Sequence, residues 1–167
     1  MKKVLSVILA LVLTLSLASC GEEVTLADVT IDSGISIKLP SDMTAESAAM
    51  YANTDASDVA SFGSYEYDPA APLNEWAQED FIASELSDRA DLEIISFDNT
   101  LEINGNPALL CKFTFTTDGG NAVTCAVVVV NDGVTEYVVS LTYLTDNADG
   151  SLATNLDACI NSITIAE

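Results

Sequence analysis

The chain has 167 residues, of which 26 are acidic, five basic and none histidine, for a formal charge of −21 at pH 7. That balance argues against nucleic acid, whose recognition starts from clustered Lys and Arg, and against docking on anionic lipid through basic residues. Without histidine, Ser-His-Asp and Cys-His catalysis and most zinc sites are also excluded.

The chain opens with Lys2-Lys3, followed by an apolar run from Val4 to Leu17 that only Ser6, Thr14 and Ser16 interrupt, and then by Leu17-Ala18-Ser19-Cys20. A short positive region, an apolar region and small residues before a cleavage point are the three parts of an export signal. The apolar run is shorter than the roughly 20 residues a spanning helix needs. Its ending resembles the lipobox of bacterial lipoproteins, in which the Cys thiol receives diacylglycerol before cleavage. The resemblance implies a signal peptide over 1–19, a membrane anchor through acyl chains such as palmitate on Cys20, and an extracytoplasmic location. Each buried CH₂ of such chains contributes about 0.8 kcal/mol of membrane affinity.

After cleavage, a short tether at 20–23 leads into one domain over 24–167, which is long enough for a single core. Lys38, Arg89 and Lys112 then stand against all 26 acids, a difference of −23. Such a surface favours solubility, and it also suits a cationic ligand or a basic protein partner. The acids are spread among apolar runs, unlike those of a disordered acidic tail.

Val24 to Ile31 and Ile35 to Leu39 are expected to be strands joined by Asp32-Ser33-Gly34, which has hairpin chemistry. Residues 43–57, rich in Ala, Ser and Thr, are ambiguous, a loop with a helical turn being one option. Val59 to Tyr67 reads as a strand in which Phe62 faces away from Tyr65 and Tyr67, and Gly63 allows a bulge between them. Pro69 and Pro72 precede a helix expected over 73–88, with Leu73, Trp76, Ala77, Phe81, Ala83 and Leu86 on one face and Ile82 off it. Glu75, Glu79 and Asp80 suit its N-terminal half, where the helix dipole favours acids.

Leu92 to Phe97 and Thr100 to Ile103 are expected as two strands before the turn Asn104-Gly105-Asn106-Pro107. Leu109, Cys111, Phe113 and Phe115 then alternate with more polar residues at period two. For Val123, Cys125, Val127 and Val129 to share their face, the loop at 118–121 needs an odd residue count. Three residues with a left-handed Gly would do. Ala126 to Val130 is apolar on both faces and should be a central, doubly covered strand. Asn131-Asp132-Gly133 turns the chain into another alternating strand, Glu136 to Tyr143. A helix over about 151–162, capped by Ser151 or Asp149, carries Leu152, Leu156, Cys159, Ile160 and Ile163 in one stripe. Cys111, Cys125 and Cys159 all sit in apolar patterns and read as core thiols, with one disulfide plus a free thiol as the alternative.

Three phrases in this order resemble PsbP-like domains: Gly34-Ile35-Ser36-Ile37-Lys38-Leu39-Pro40, the turn Ile103-Asn104-Gly105-Asn106-Pro107-Ala108, and Cys159-Ile160-Asn161-Ser162-Ile163. The resemblance implies a single α+β domain, an antiparallel β-sheet of about six strands with helices packed on both faces. It brings no catalytic residues with it, because family members are accessory factors, Ran-binding factors or bacterial lipoproteins. Fold alone does not decide function.

No phosphate loop, cofactor motif or catalytic set is legible. A metal loop is conceivable at Thr145-Asp146-Asn147-Ala148-Asp149-Gly150, where Asp146, Asn147 and Asp149 offer oxygen ligands. It fails a calcium loop's first position at Thr145 and its twelfth at Leu156. Among the aromatics, Trp76 and Tyr65 are expected in the core, and Tyr51 is the candidate for a ligand or partner surface. The function most consistent with these features is a non-enzymatic binding or accessory lipoprotein. A carboxylate-dependent surface enzyme and a structural envelope protein are the alternatives.

Overall fold

The computed structural model describes residues 24–31 and 34–166. The signal peptide, Cys20 and the tether therefore lie outside the described residues, as do Asp32 and Ser33 of the first turn. Among the described residues no helix is long and apolar enough to cross a membrane.

The domain is α+β; among the described residues its larger sheet has seven strands, close to the six or so expected, and a second sheet of three strands lies outside that expectation. The seven form one antiparallel sheet, and in spatial order they are β3 (Thr44–Ser47), β4 (Met50–Asn53), β5 (Asp58–Glu66), β9 (Thr135–Leu144), β8 (Ala122–Asn131), β7 (Asn106–Thr116) and β6 (Ala90–Ile103). A smaller sheet holds β1 (Leu26–Thr30), β2 (Ile35–Pro40) and β10 (Thr164–Ile165), with β2 central. Among the described residues two α-helices follow the expected order, α1 at Gln78–Glu85 and α2 at Ser151–Asn161.

Alternation sets the two faces of the large sheet. Ala126, Val128 and Val130 of β8 and Val139 and Leu141 of β9 join Ile35, Ile37 and Leu39 of β2 and Leu152, Leu156, Cys159 and Ile160 of α2 in one core cluster. The other β8 face supplies Cys125 and Val129, which cluster with Leu109, Cys111 and Phe113 of β7 and with Leu73, Phe81 and Leu86. The apolar run in β8 thus occupies a central strand between β7 and β9, as its double-sided pattern requires.

Turn chemistry fixes the registers. Asn104 and Gly105 both have positive φ, 49° and 82°. This is the two-residue hairpin loop that Asn-Gly favours because its twist matches the strands. At the next hairpin, the Thr117 amide donates to Asn121 O across three loop residues, and Gly120 takes the left-handed position at φ 81°. The odd count puts Phe113 opposite Cys125 and Phe115 opposite Val123, on one face.

Several elements differ from expectation. Residues 43–57 contain two short strands toward one side of the sheet, β3 at the edge and β4 next to it, whose sparse apolar content gives no readable period. No bulge occurs at Gly63, since Phe62 pairs with Val139 and Gly63 with Val138 in continuous register. The two strands expected over 92–103 are one 14-residue strand, β6, with three register shifts along it. At the first shift Asp91 adopts φ 51°, and its carboxylate accepts from the Thr116 hydroxyl at 2.9 Å. At the third, Asp98 Oδ1 accepts from the Thr100 amide at 2.9 Å. Repeated bulges on an exposed edge hinder pairing with other chains.

The helix expected over 73–88 is divided. Leu73–Glu75 forms a 3₁₀ turn, Trp76 and Ala77 are extended, and α1 starts at Gln78. The cause lies on β6: Asn99 Nδ2 donates to Asn74 O at 3.1 Å and to Trp76 O at 2.9 Å. Those carbonyls are thereby satisfied without a continuous helix. The break turns the face as well, so Ala83 is exposed and Ile82 packs against the core.

At α2 neither Ser151 nor Asp149 is the cap; the N-cap position is Gly150, with no side-chain cap bond of its own. The acceptor comes from β5, where Asp58 is fully buried and its Oδ2 accepts from the Leu152 amide at 3.4 Å. Ser151 Oγ donates to Asp42 Oδ2 at 2.8 Å.

Candidate functional site

Three rows of side chains cross β7, β8, β9 and β5 on the sheet face beneath Leu73–Leu86. The pairings give Leu109–Val129–Val138–Gly63, Cys111–Val127–Ser140–Ser61 and Phe113–Cys125–Thr142–Val59. Polarity rises along the second row and, as far as β9, along the third. The β7 and β8 ends are apolar and lie under Leu73, Phe81 and Leu86. Toward β9 and β5, Ser140, Thr142 and Ser61 bring hydroxyls and Gly63 is small, Val138 and Val59 staying apolar, and the helical cover stops.

The result is a groove of about 670 Å³ with an apolar floor and a polar outer end. That size falls within the range of small-molecule sites, about 300–1,000 Å³. Trp76, Phe81 and Phe115 line the covered part, while Tyr65, Ser61, Ser140 and Thr142 line the open part. Trp76 and Phe81 pack edge-on with centroids 6.1 Å apart, and the Trp76 indole donates to Ala71 O at 3.3 Å. The wall is therefore held by both packing and a hydrogen bond.

The polar end is incompletely paired. Ser140 Oγ and Thr142 Oγ1 each lie 3.3 Å from the Cys125 thiol. Sulfur is a weak hydrogen-bond partner, so a ligand oxygen or nitrogen could compete for these hydroxyls. Burial raises the pKa of Cys125, opposed by those two hydroxyls and by the more distant Arg89. The thiol stays protonated at neutral pH and acts as floor, not nucleophile.

Charge gathers at the rim as Glu85, Arg89 and Glu136. Glu136, at the start of β9 opposite Tyr65, is half-buried; burial first and the neighbouring Asp68 second raise its carboxyl above the usual range. Arg89 sits with Cζ 4.8 Å from the Phe115 ring centroid and Nε 3.8 Å from Asp88. Glu85 is exposed on the last turn of α1, so it and Glu136 do not form the desolvated pair that carboxylate hydrolysis requires.

The residues singled out in the sequence lie elsewhere. Tyr51 is half-buried in β4, edge-on to Phe62 at 6.4 Å, and packs against the larger core cluster, so it is not a free surface aromatic. Tyr65, expected in the core, is 66% exposed on the groove rim. Trp76, also expected in the core, is half-buried in the groove wall. Asp146 and Asp149 are exposed in the loop before α2, and the Asn147 amide points to Ala56 O at 3.5 Å. Among the described residues no three His, Cys, Asp or Glu side chains gather as a metal site. Cys111, Cys125 and Cys159 are buried free thiols.

Ser61, Ser140, Thr142 and Glu136 were missed because a polar row on a strand ordinarily means solvent. The available signal was Val138 among Glu136, Ser140 and Thr142, an apolar residue on a nominally wet face.

No protein-family model matches the sequence, and no curated protein matches it. Solved structures do. LpqN of Mycobacterium tuberculosis, involved in cell envelope biogenesis, aligns with a TM-score of 0.58 at 17% identity, covering 87% of this chain and 93% of LpqN. The cyanobacterial PsbP (CyanoP) of Synechocystis sp. PCC 6803 aligns with a TM-score of 0.54 at 12% identity, covering 88% of this chain and 97% of CyanoP. At these identities the likeness concerns the fold alone, and the fold of this domain is PsbP-like.

Proposed function

We propose that the chain is a non-enzymatic binding lipoprotein, held at the extracytoplasmic face of a bacterial membrane by lipid on Cys20, and that its ligand occupies the groove beneath Leu73–Leu86. The observation that carries this reading is the graded groove. Its apolar floor is covered at one end, and its open end offers hydroxyls whose partner is only a thiol. An amphiphilic small molecule fits both ends. The lipobox supports the tether, and an envelope role for LpqN, a protein of like fold, agrees with that location.

Among the described residues both core clusters draw on residues between Leu26 and Ile165. The mature chain carrying Cys20→Ser contains all of those residues. It has one tryptophan, Trp76, in the groove wall. Titration with N-phenyl-1-naphthylamine, a neutral apolar probe, should change Trp76 emission saturably with one site. Val138→Phe should fill the floor and abolish the change while leaving the far-UV spectrum intact. An unchanged titration in that variant would remove the groove from the proposal. Incorporation of labelled palmitate into the expressed full chain, and its loss in Cys20→Ser, tests the tether separately.

A further inference from the structure

We infer that the groove's ligand is a small organic cation with an apolar body, its charge seated between Glu136 and the Tyr65 ring. This rests on the reading of the groove as a ligand site and adds the chemical class.

The first argument is counter-charge. The mature chain has three basic side chains, and each already has an acidic neighbour: Lys38 with Asp28 at 3.9 Å, Arg89 with Asp88 at 3.8 Å, and Lys112 with Asp157 at 2.6 Å. Among the described residues Glu136 has no such cation. It is nonetheless half-buried, beside a groove, with the acid Asp68 close enough to add repulsion. A carboxylate drawn partly out of water without a counter-charge is unfavourable unless a partner arrives.

The second argument is the ring opposite. Tyr65 is the direct cross-strand partner of Glu136 and is 66% exposed. An aromatic face beside a carboxylate offers a cation both the ring quadrupole and a full negative charge. Trp76 and Phe81 continue the aromatic wall inward, where the apolar body would lie.

The third argument is what the rim repels. An anionic head group would meet Glu85 and Glu136 within a strongly negative protein. Its one favourable contact, Arg89, already lies over the Phe115 ring and beside Asp88.

The test compares three probes with the same ten-carbon chain on the mature Cys20→Ser protein: decyltrimethylammonium, 1-decanol and decanoate. All are titrated below micelle formation, with Trp76 emission and calorimetry as readouts. Ionic strength is held at about 0.15 M, where the Debye length is about 8 Å and distant surface charge is damped. The cation should bind at least tenfold tighter than decanoate, with decanol between them. Glu136→Gln and Tyr65→Ala should each weaken the cation about fivefold or more and weaken decanol by clearly less, about twofold at most. Glu46→Gln, which removes an exposed acid on β3 away from the groove, should weaken neither. If the three probes bind alike, if decanoate binds tightest, or if Glu46→Gln matches Glu136→Gln, the charge assignment falls while the groove stands. If no probe perturbs Trp76, the groove reading fails and takes this inference with it.

Discussion

Replacing Asn99 by Ala tests how the groove's cover is held. The Asn99 amide faces two carbonyls, Asn74 O at 3.1 Å and Trp76 O at 2.9 Å, so only its NH₂ end suits the site. A hydrogen bond of this kind contributes about 0.5–1.5 kcal/mol net. Asn99 is half-exposed and water can replace part of that, so the pair should be worth about 1–2 kcal/mol, a factor of about 5–30 in a local opening equilibrium. The loss should fall on Leu73–Leu86 and not on the sheet. Hydrogen exchange is the assay. The amides of Phe81 and Leu86, bonded to Ala77 O and Ile82 O, should exchange about 5–30 times faster, while β8 amides hold their rates. Trp76 emission should shift to longer wavelength. Asn99→Asp should open the segment further, because a carboxylate would face two carbonyl oxygens. Unchanged exchange at Phe81 and Leu86, or equal acceleration in β8, would refute the view that Asn99 fixes the break in the helix.

Three further outcomes follow from single sites. Burial first, and the neighbouring Asp42 as a smaller cause, raise the Asp58 carboxyl above its ordinary value, against the Leu152 amide and Ser151 hydroxyl that lower it. The folded protein then holds that proton more tightly than the unfolded chain, so Asp58's favourable contribution is full below the unfolded value and is lost as pH rises through the folded one. Asp58→Asn keeps an acceptor for the Leu152 amide without ionising, so it should be more stable than the parent in urea at pH 7, with the gap closing toward pH 4. A gap that widened on acidification would contradict the sign. Burial pushes Cys111 and Cys159 up to about 11 and raises Cys125 as well. In the Cys20→Ser chain a thiol-specific disulfide reagent at pH 8 should therefore label none of the three quickly and all three in denaturing urea. Fast labelling of the native chain would be inconsistent with core thiols. Gly105→Ala should lower stability by about 1–2 kcal/mol, the usual left-handed penalty, although no atom lies within 4 Å of the added Cβ. Gly63→Ala, with equal room and no positive φ, is the matched control, and equal urea midpoints for the two variants would remove the backbone argument.

Where local chemistry alone sets the geometry, the fold was legible. Asn104-Gly105 specifies a hairpin because both residues tolerate positive φ, and the parity of the 118–121 loop follows from which side chains must share a face. The stripe on α2 and the two-sided run in β8 likewise depend only on period and polarity. The misread segments are those decided by a distant partner. Trp76 and Ala77 sit at helical spacing, yet the residue that satisfies the Asn74 and Trp76 carbonyls is Asn99, 23 positions beyond Trp76. Asp98 and Asn99 look like a turn between two strands; they are a bulge within one, where Asp98 bonds back to Thr100. Around the start of α2 the local sequence offers Asp149 and Ser151 as caps, whereas the acceptor for the Leu152 amide is Asp58 on another element.

The candidate site was less legible because no single strand contains it. Each β9 residue on the groove face, Glu136, Val138, Ser140 and Thr142, is ordinary for a strand with one wet side. It gains meaning from its row: Ser140 beside Val127 and Cys111, Thr142 beside Cys125 and Phe113. A helix covering the whole face would have called for apolar residues along β9 and β5, and full exposure would have called for polar residues along β7 and β8. The sequence has neither pattern. Its polarity changes at the boundary between β8 and β9, near where the cover from Leu73 to Leu86 ends. On the proposed reading, a sheet face that is apolar on β7 and β8 and gains hydroxyls at Ser140, Thr142 and Ser61 suits an occupant that is itself apolar at one end and polar at the other. Glu136 then bears on the sign of the polar end, because among the described residues it is the acid on β9 and β5 that lines the groove, and its cross-strand neighbour is an exposed aromatic ring.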